Sequence, residues 1–273
     1  MKTGLVSVIM PSWNTAGFIA ESIRSVIAQT YPDWELIIVD DCSTDNTDDV
    51  VKPFLSDPRI RYFKNRKNCG AALTRNKALR KARGEWIAFL DSDDLWTPDK
   101  LKTQIRFMKR YGAVFSYHEY EKIDEAGIPL HIHVSGPSAV DRRLMYRYDY
   151  IGQLTMMYSA AHFGLIQIKD IKKNNDYAIR LRLFRKDPDA KCLLIRKTLA
   201  QYRVRRQSIS HDRLKKKLKS HYDLFHFCDE MPCAASLFLT GRNMVFGILK
   251  KWVYEKGTQH DPQQRNSDSG KLL

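Results

Sequence analysis

Along roughly the first 115 residues, short apolar runs alternate with segments whose apolar positions recur every three or four residues. Val6–Met10, Glu35–Asp40, Ile60–Phe63, Glu85–Leu90 and Ala113–Tyr117 read as strands buried on both faces. Between them, Ala16–Thr30 places Ile19, Ile23, Val26 and Ile27 on one helical face, and Pro32 stops it. Thr44–Leu55 predicts a short helix, with Ser43 or Thr44 as cap and Asp45, Asp48 and Asp49 at its positive end. Gly70–Arg83 turns Leu73, Leu79 and Ala82 inward, with Gly84 as the residue that terminates it. Pro98 opens a further helix whose inner face is Leu101, Ile105 and Met108. Such alternation implies an α/β fold: a mainly parallel sheet, right-handed crossovers and helices on both faces.

Beyond residue 118 the pattern weakens. Ile128–Val134 and Gln153–Tyr158 read as strands, Asn175–Arg185 as a helix, and Lys191–Arg203 as extended chain. Arg213–Cys228 and Pro232–Tyr254 read as helices, the second amphipathic with a basic end. Gly257–Leu273 is polar and expected to be disordered. No internal repeat is visible.

The 273 residues, 43% of them hydrophobic, can bury one sizeable core, which excludes a chain disordered throughout. No apolar run reaches the ~18 residues of a membrane span; Cys233–Trp252 is broken by Arg242 and by Lys250 with Lys251. The run Leu5–Met10 ends at Pro11, too early for a signal peptide, so the expectation is a cytoplasmic protein. Five scattered cysteines without a C-x-x-C pair read as reduced thiols rather than a disulfide framework or zinc site.

The net charge is +15, and residues 180–220 hold 15 Lys/Arg against 3 Asp/Glu, a net +12 in that stretch alone. The block is either a solvated face or a surface for an anionic partner. It lacks regular aromatic interleaving, so nucleic acid is not the expected partner. An anionic membrane surface, even the cytoplasmic face of the inner membrane, fits better. The helix carrying Phe238, Val245, Phe246, Ile248, Leu249, Trp252 and Tyr254 could lie in that interface or pack on the rest of the chain.

In an open parallel sheet, ligands bind beyond the carboxyl ends of the strands. Here those ends carry Pro11, Ser12, Trp13 and Asn14; Asp40 and Asp41; and Asp91, Ser92, Asp93 and Asp94. Crowded carboxylates repel unless a cation or a donor-rich ligand lies between them. Asp91 and Asp93, two apart, can approach one hard divalent ion, Mg²⁺ or Mn²⁺, which would neutralise a diphosphate leaving group. Singly these features are weak: Asp93 or Asp94 could cap a helix, and Trp13 could be a packed aromatic. Together on one edge they point to a nucleotide-diphosphate site, for glycosyl transfer, nucleotidyl transfer or sugar-nucleotide hydrolysis.

At these residues the chain resembles glycosyltransferase family 2, inverting enzymes with the GT-A fold. The stretches that carry the likeness are Val6–Asn14, Ile37–Thr47, Arg75 with Asn76, Gly84–Asp94, Asn175–Arg182 and Tyr202–Ser210. The resemblance implies a Rossmann-like nucleotide-diphospho-sugar transferase domain over 1–210, with a donor-binding half at 1–117 and an acceptor-binding half at 118–210. Basic amphipathic helices over 211–256 would follow. It implies Asp176 as catalytic base, and Pro11, Ser12, Trp13, Asn14, Asp40, Asp41, Arg75, Asp91 and Ser92 around the donor. Asp93 would be the direct metal ligand, with Asp91 beside it. It favours UDP as the carrier and a glycan or lipid-linked acceptor, as in assembly of bacterial capsule, teichuronic acid or O-antigen. Gly152–Tyr158 falls where this fold places acceptor contacts. The chain departs from the family pattern at Asn175, where Glu is usual, and at Ala178 and Arg180, where Asp and Trp are common.

Overall fold

The elements follow in chain order as β1 (Lys2–Ser12), α1 (Ile19–Ile27), β2 (Trp34–Asp40), α2 (Thr47–Val51), β3 (Ile60–Lys64), α3 (Gly70–Lys81), β4 (Gly84–Phe89), β5 (Leu95–Trp96) and α4 (Lys100–Tyr111). Next come β6 (Phe115–Ile123), β7 (Pro129–Val134), β8 (Ala139–Val140), α5 (Arg142–Arg147), β9 (Met157–Ser159), α6 (Ala160–Phe163), α7 (Asn175–Lys186) and β10 (Cys192–Arg203). α8 (Leu214–Asp223), a π-helical turn (Leu224–Cys228), α9 (Cys233–Tyr254) and β11 (Glu255–Gly257) are the last elements among the described residues. The structure, a computed structural model, describes residues 1–205 and 214–257. Residues 206–210 of the expected closing segment and 258–273 of the expected tail lie outside the described residues. Gly257, expected to begin that tail, still pairs with Ile132.

The sheet runs β11-β7-β6-β9-β4-β1-β2-β3, with β10 alongside β6. Its long ladders are parallel: β1 with β2 and β4, β2 with β3, and β10 with β6. The antiparallel pairings are short. β9 is wedged antiparallel between β4 and β6 through Trp86–Ser159 and Phe115–Tyr158. Side chains alternate across the strands. Ile9, Ile37, Val39, Ile87 and Phe89 pack against Ala78 and Leu79 of α3 and against α7. Val8, Met10, Leu36, Ile38 and Ala88 face Ile19, Ile23 and Val26 of α1 and Leu101, Ile105 and Met108 of α4.

Several local expectations are corrected. Ile27 closes α1 and is exposed, and Leu73 is exposed because the inner face of α3 is small and polar, with Thr74, Arg75 and Asn76 buried. Gly84 does not terminate α3, which ends at Lys81; it opens β4 where β1 passes so close that a Cβ would lie 2.5 Å from the Leu5 carbonyl oxygen. Neither Ser43 nor Thr44 caps α2; the Asp45 carboxylate accepts from the Thr47 N–H at 3.1 Å. β5, β8, α5, α6 and β11 are too short to leave a periodic trace.

His118, fully buried on β6, has Nδ1 2.8 Å from the Glu119 carbonyl oxygen, so Nδ1 carries the proton that donates there. Burial, then the charge of Lys100, push its pKa down to about 3. The unfolded chain therefore binds a proton near pH 6.5 that the fold refuses, so His118 favours folding above that pH and its contribution is lost on acidification. The stability difference between wild type and His118→Leu should change by about 1.4 kcal/mol per pH unit between roughly pH 6 and 4. Denaturant melts across that window test this, and parallel curves would contradict it.

Candidate active site

Strand pairing brings the expected donor residues to one edge. Ser12 pairs with Asp40, and Ile9 with Phe89, so the loops after β1, β2 and β4 emerge side by side. Pro11 and Ser12 end β1, and the Ser12 hydroxyl lies 2.9 Å from that of Thr15. The Trp13 indole is 50% exposed on a loop held by Asn14, whose φ is +50°. Asn14 tolerates that left-handed backbone because it is anchored twice. Its Oδ1 accepts from Thr44 N–H at 2.8 Å, and its N–H donates to Ser43 Oγ at 2.8 Å.

Asp40 is buried and accepts from Ser43 N–H at 2.8 Å and from the Ser43 hydroxyl. Asp41 accepts from Cys69 N–H at 2.8 Å, Gly70 N–H at 2.7 Å and the Asn65 amide at 2.8 Å. A carboxylate on these N–H groups suits the positive end of α3. Both aspartates therefore organise the edge from beneath: Asp40 fixes its turn and Asp41 fixes the helix that presents Arg75.

The acidic tip follows β4. Asp91, 35% exposed, pairs with Arg75 at 2.6 Å, and Arg75 also donates to Asn175 Oδ1. Ser92 is buried. Asp93 pairs with Arg205 at 3.2 Å. Asp94, fully buried, accepts from Arg203 N–H at 2.9 Å. Arg203 then stitches the tip to the sheet, through Nε to the Asp93 carbonyl at 2.8 Å and through its guanidinium to Glu21 at 2.6 Å. Burial, then Asp91, raises the pKa of Asp93; burial, then Asp93 and Asp91, raises that of Asp94 well above the usual carboxylate range. Neither Asp93 nor Asp94 caps α4.

These carboxylates are held together against their own repulsion, with Arg205 supplying the positive charge beside Asp93. That frustration suits a divalent ion. Among the described residues no group of three His, Cys, Asp or Glu is placed to hold a metal. An ion at Asp93 and Asp91 would take its remaining oxygens from a diphosphate and water, which is how Mg²⁺ is usually held.

Asp176 lines one cavity with Asp91 and Asp94 of this tip. Asn174, at φ +55°, turns the chain into α7, and Asp176 is the second residue of the helix. No side chain caps that helix, so the carboxylate is not spent as a cap. It is 40% exposed. One turn later Arg180, 1% exposed, donates to it at 3.0 Å, to Asp149, and to Gln153 at 2.6 Å. Burial opposes ionisation of Asp176, but Arg180 and then Arg75 outweigh it and hold its pKa below the ordinary carboxylate value. Asp149 goes the other way: burial raises its pKa in spite of Arg180. The cavity, about 760 Å³, is lined by Asp91, Asp94, Asp149, Gln153, Asp176 and Arg180, together with Gly247 of α9. Trp13, Asp40, Asp41, Arg75, Ser92 and Asp93 do not line it.

Sequence reading missed Asp149, Arg203 and Arg205. It noted Arg180 only as a departure, although the Asp176/Arg180 spacing of four is itself a helix-pair signal. Asp149 left no local signal, because only tertiary folding brings it to Arg180. Of Gly152–Tyr158, Gly152, Gln153 and Leu154 line the cavity, whereas Met157 and Tyr158 are core residues of β9. His131 and His133 lie on the β6–β7 hairpin, and all five cysteines are free thiols.

A family model described as glycosyl transferase family 2 matches residues 7–175. TuaG of Bacillus subtilis, named for teichuronic acid biosynthesis, is 39% identical over 219 residues, covering 80% of this chain and 86% of that protein. WfgD of Escherichia coli, named as a UDP-Glc:α-D-GlcNAc-diphosphoundecaprenol β-1,3-glucosyltransferase, is 36% identical over 250 residues, covering 92% and 96%. The crystal structure of S. aureus TarS residues 1–349 with UDP-GlcNAc superposes with a TM-score of 0.68 at 21% identity, over 90% of this chain and 74% of that one. The likeness establishes the GT-A architecture expected from the sequence.

Proposed function

We propose, from the premise that the chain belongs to glycosyl transferase family 2, that it is a metal-dependent, inverting transferase that moves a sugar from a UDP-sugar to a lipid-linked glycan. The setting is assembly of bacterial cell-surface polysaccharide on the cytoplasmic side of the membrane. Family membership makes the chain a glycosyltransferase, which sets nucleotidyl transfer and sugar-nucleotide hydrolysis aside. The donor and acceptor follow the printed names of its relatives: WfgD for UDP-Glc and a diphosphoundecaprenol acceptor, TuaG for teichuronic acid. In this reading residues 1–117 hold the donor and 118–210 the acceptor.

One observation supports the mechanism: Asp176, whose pKa Arg180 and Arg75 lower, lines a single cavity with Asp91 and Asp94 of the acidic tip. Trp13 offers its exposed ring to the base, on an edge shaped by Pro11, Ser12, Asn14, Asp40 and Asp41. Arg75 and Asp91 hold the nucleotide, with Ser92 packing the turn beneath. A Mg²⁺ or Mn²⁺ ion at Asp93 and Asp91 would neutralise the departing diphosphate. Asp176 accepts the proton of the acceptor hydroxyl as it attacks the anomeric carbon. The sugar–phosphate bond breaks as the new glycosidic bond forms on the opposite face, so configuration inverts. Arg180 fixes the carboxylate rotamer and keeps it charged.

A thermal-shift panel of UDP-, GDP- and dTDP-sugars with and without Mn²⁺ tests the reading, since a donor at about 100 times its Kd stabilises the fold by about 2.7 kcal/mol. A metal-dependent rise with a UDP-sugar, followed by a new glycoside when a diphospholipid-linked sugar is added, is the expected result. Release of free sugar alone, or no response to any UDP-sugar, would overturn it.

A further inference from the structure

α9 has its polar side buried and its apolar side exposed. Ser236, Thr240 and Asn243 are buried, and Asn243 donates to the Tyr177 hydroxyl at 2.9 Å and to the Arg147 carbonyl at 3.1 Å. Gly247 admits the Tyr148 ring so closely that a Cβ would lie 2.9 Å from it. The inner face is therefore locked onto α5 and α7. On the outer face Leu237, Phe238, Val245, Ile248 and Leu249 are each at least half exposed, Ile248 at the edge that also lines the Asp176 cavity. At about 100° per residue these five fall within one arc of about 120°.

Cations flank this stripe. α8 packs along α9 and exposes Lys215, Lys216, Lys217 and Lys219, of which Lys219 pairs with Asp223 at 2.7 Å. α8 also exposes Leu214 and Leu218 among those lysines. On the other side α5 presents Arg142 and Arg143, with Asp141 the nearest acidic residue in sequence. An apolar stripe edged by ammonium and guanidinium groups matches an anionic bilayer surface, apolar tails beneath phosphate headgroups. No helix among the described residues is long and apolar enough to cross a membrane.

We propose that the outer face of α9, with the lysines of α8 and arginines of α5, docks on an anionic phospholipid surface, with the helix lying in the headgroup plane. The inner side of the same helix walls the Asp176 cavity through Met244 and Gly247. Docking therefore sets the cavity at headgroup height, where the diphosphate of a lipid-linked acceptor resides. That last step rests on the acceptor assigned above; the docking itself does not.

Flotation of the full chain with phosphatidylcholine vesicles, with and without phosphatidylglycerol, tests the surface. Binding is expected only with phosphatidylglycerol and should weaken as salt rises. Lys215→Gln and Lys216→Gln together, which leave the cavity-lining Lys217 in place, should lower partitioning about 30-fold, at about 1 kcal/mol per lysine. Leu237→Ser, Phe238→Ser, Val245→Ser and Leu249→Ser together should abolish it, while circular dichroism and the donor-induced melting shift stay unchanged. That shift separates failure of docking from failure of the transferase reading. A chain that ignores anionic vesicles would overturn the proposal, as would a dimer dissolved by the serine substitutions, which would make a second copy the occupant.

Discussion

Asp176→Asn should lower turnover about 10²–10⁴-fold, the usual contribution of a general base, with donor affinity unchanged within a few-fold. The amide keeps the shape of the carboxylate and its contact with Arg180, but it cannot take a proton. The structure adds a pH signature. Arg180 and Arg75 overcome the effect of burial and keep the Asp176 pKa below its ordinary value, so the base stays charged throughout the neutral range. The wild-type rate should therefore show no acid limb from this group above about pH 4, the ordinary carboxylate value. Steady-state rates beside an independent donor titration check both parts. An Asn variant with full transfer activity would place the base elsewhere, and Asp149, bound to the same Arg180 nitrogen and lining the same cavity, would be the next carboxylate to test.

The second large effect is expected at Asp93. Chelation should abolish transfer and added Mg²⁺ or Mn²⁺ restore it, while Asp93→Ala should lose about 10²-fold or more and respond only to much higher metal. The magnitude follows from losing charge neutralisation at the leaving group, worth several kcal/mol. Asp93 is paired with Arg205 at 3.2 Å, so an ion must displace or share that guanidinium. Arg205→Ala should accordingly lower the metal concentration at half-maximal rate. Chelator-resistant activity that is lost in Arg205→Ala would sink the metal assignment and leave arginine as the neutralising cation.

Much of this was legible before the fold was known, for a physical reason. Buried parallel strands read as continuous apolar runs, and their carboxyl ends must carry the ligand, so Trp13, Asp41 and the Asp91–Asp94 tip could be placed by chain position alone. Asp176 needed the family resemblance, because one acidic residue near a helix start has an ordinary alternative as a cap; the structure starts the helix at Asn175 with Asn174 in the cap position and leaves that carboxylate uncommitted to capping. What stayed hidden depends on distant contacts. Asp149 meets Arg180 across 31 positions, and Arg203 reaches the tip across more than a hundred. The outward apolar face of α9 was hidden for another reason. Its periodicity announced amphipathicity, but only the packing of Ser236 and Asn243 shows which side faces in.

The wedge formed by β9 bears on how the chain matures. β4, which carries the acidic tip, has β1 on one flank from the start, but its other neighbour is Met157–Ser159, about seventy residues further along. As the polypeptide leaves the ribosome, that edge stays open until the strand arrives, and such late, distant pairings slow folding. A fragment stopped at residue 117 would keep Trp86, Ile87 and Ala88 as an unpaired hydrophobic rim, prone to sticking to other chains. The sheet begun by residues 1–117 is thus finished only by sequence that follows it, so those residues alone should not behave as a free-standing module.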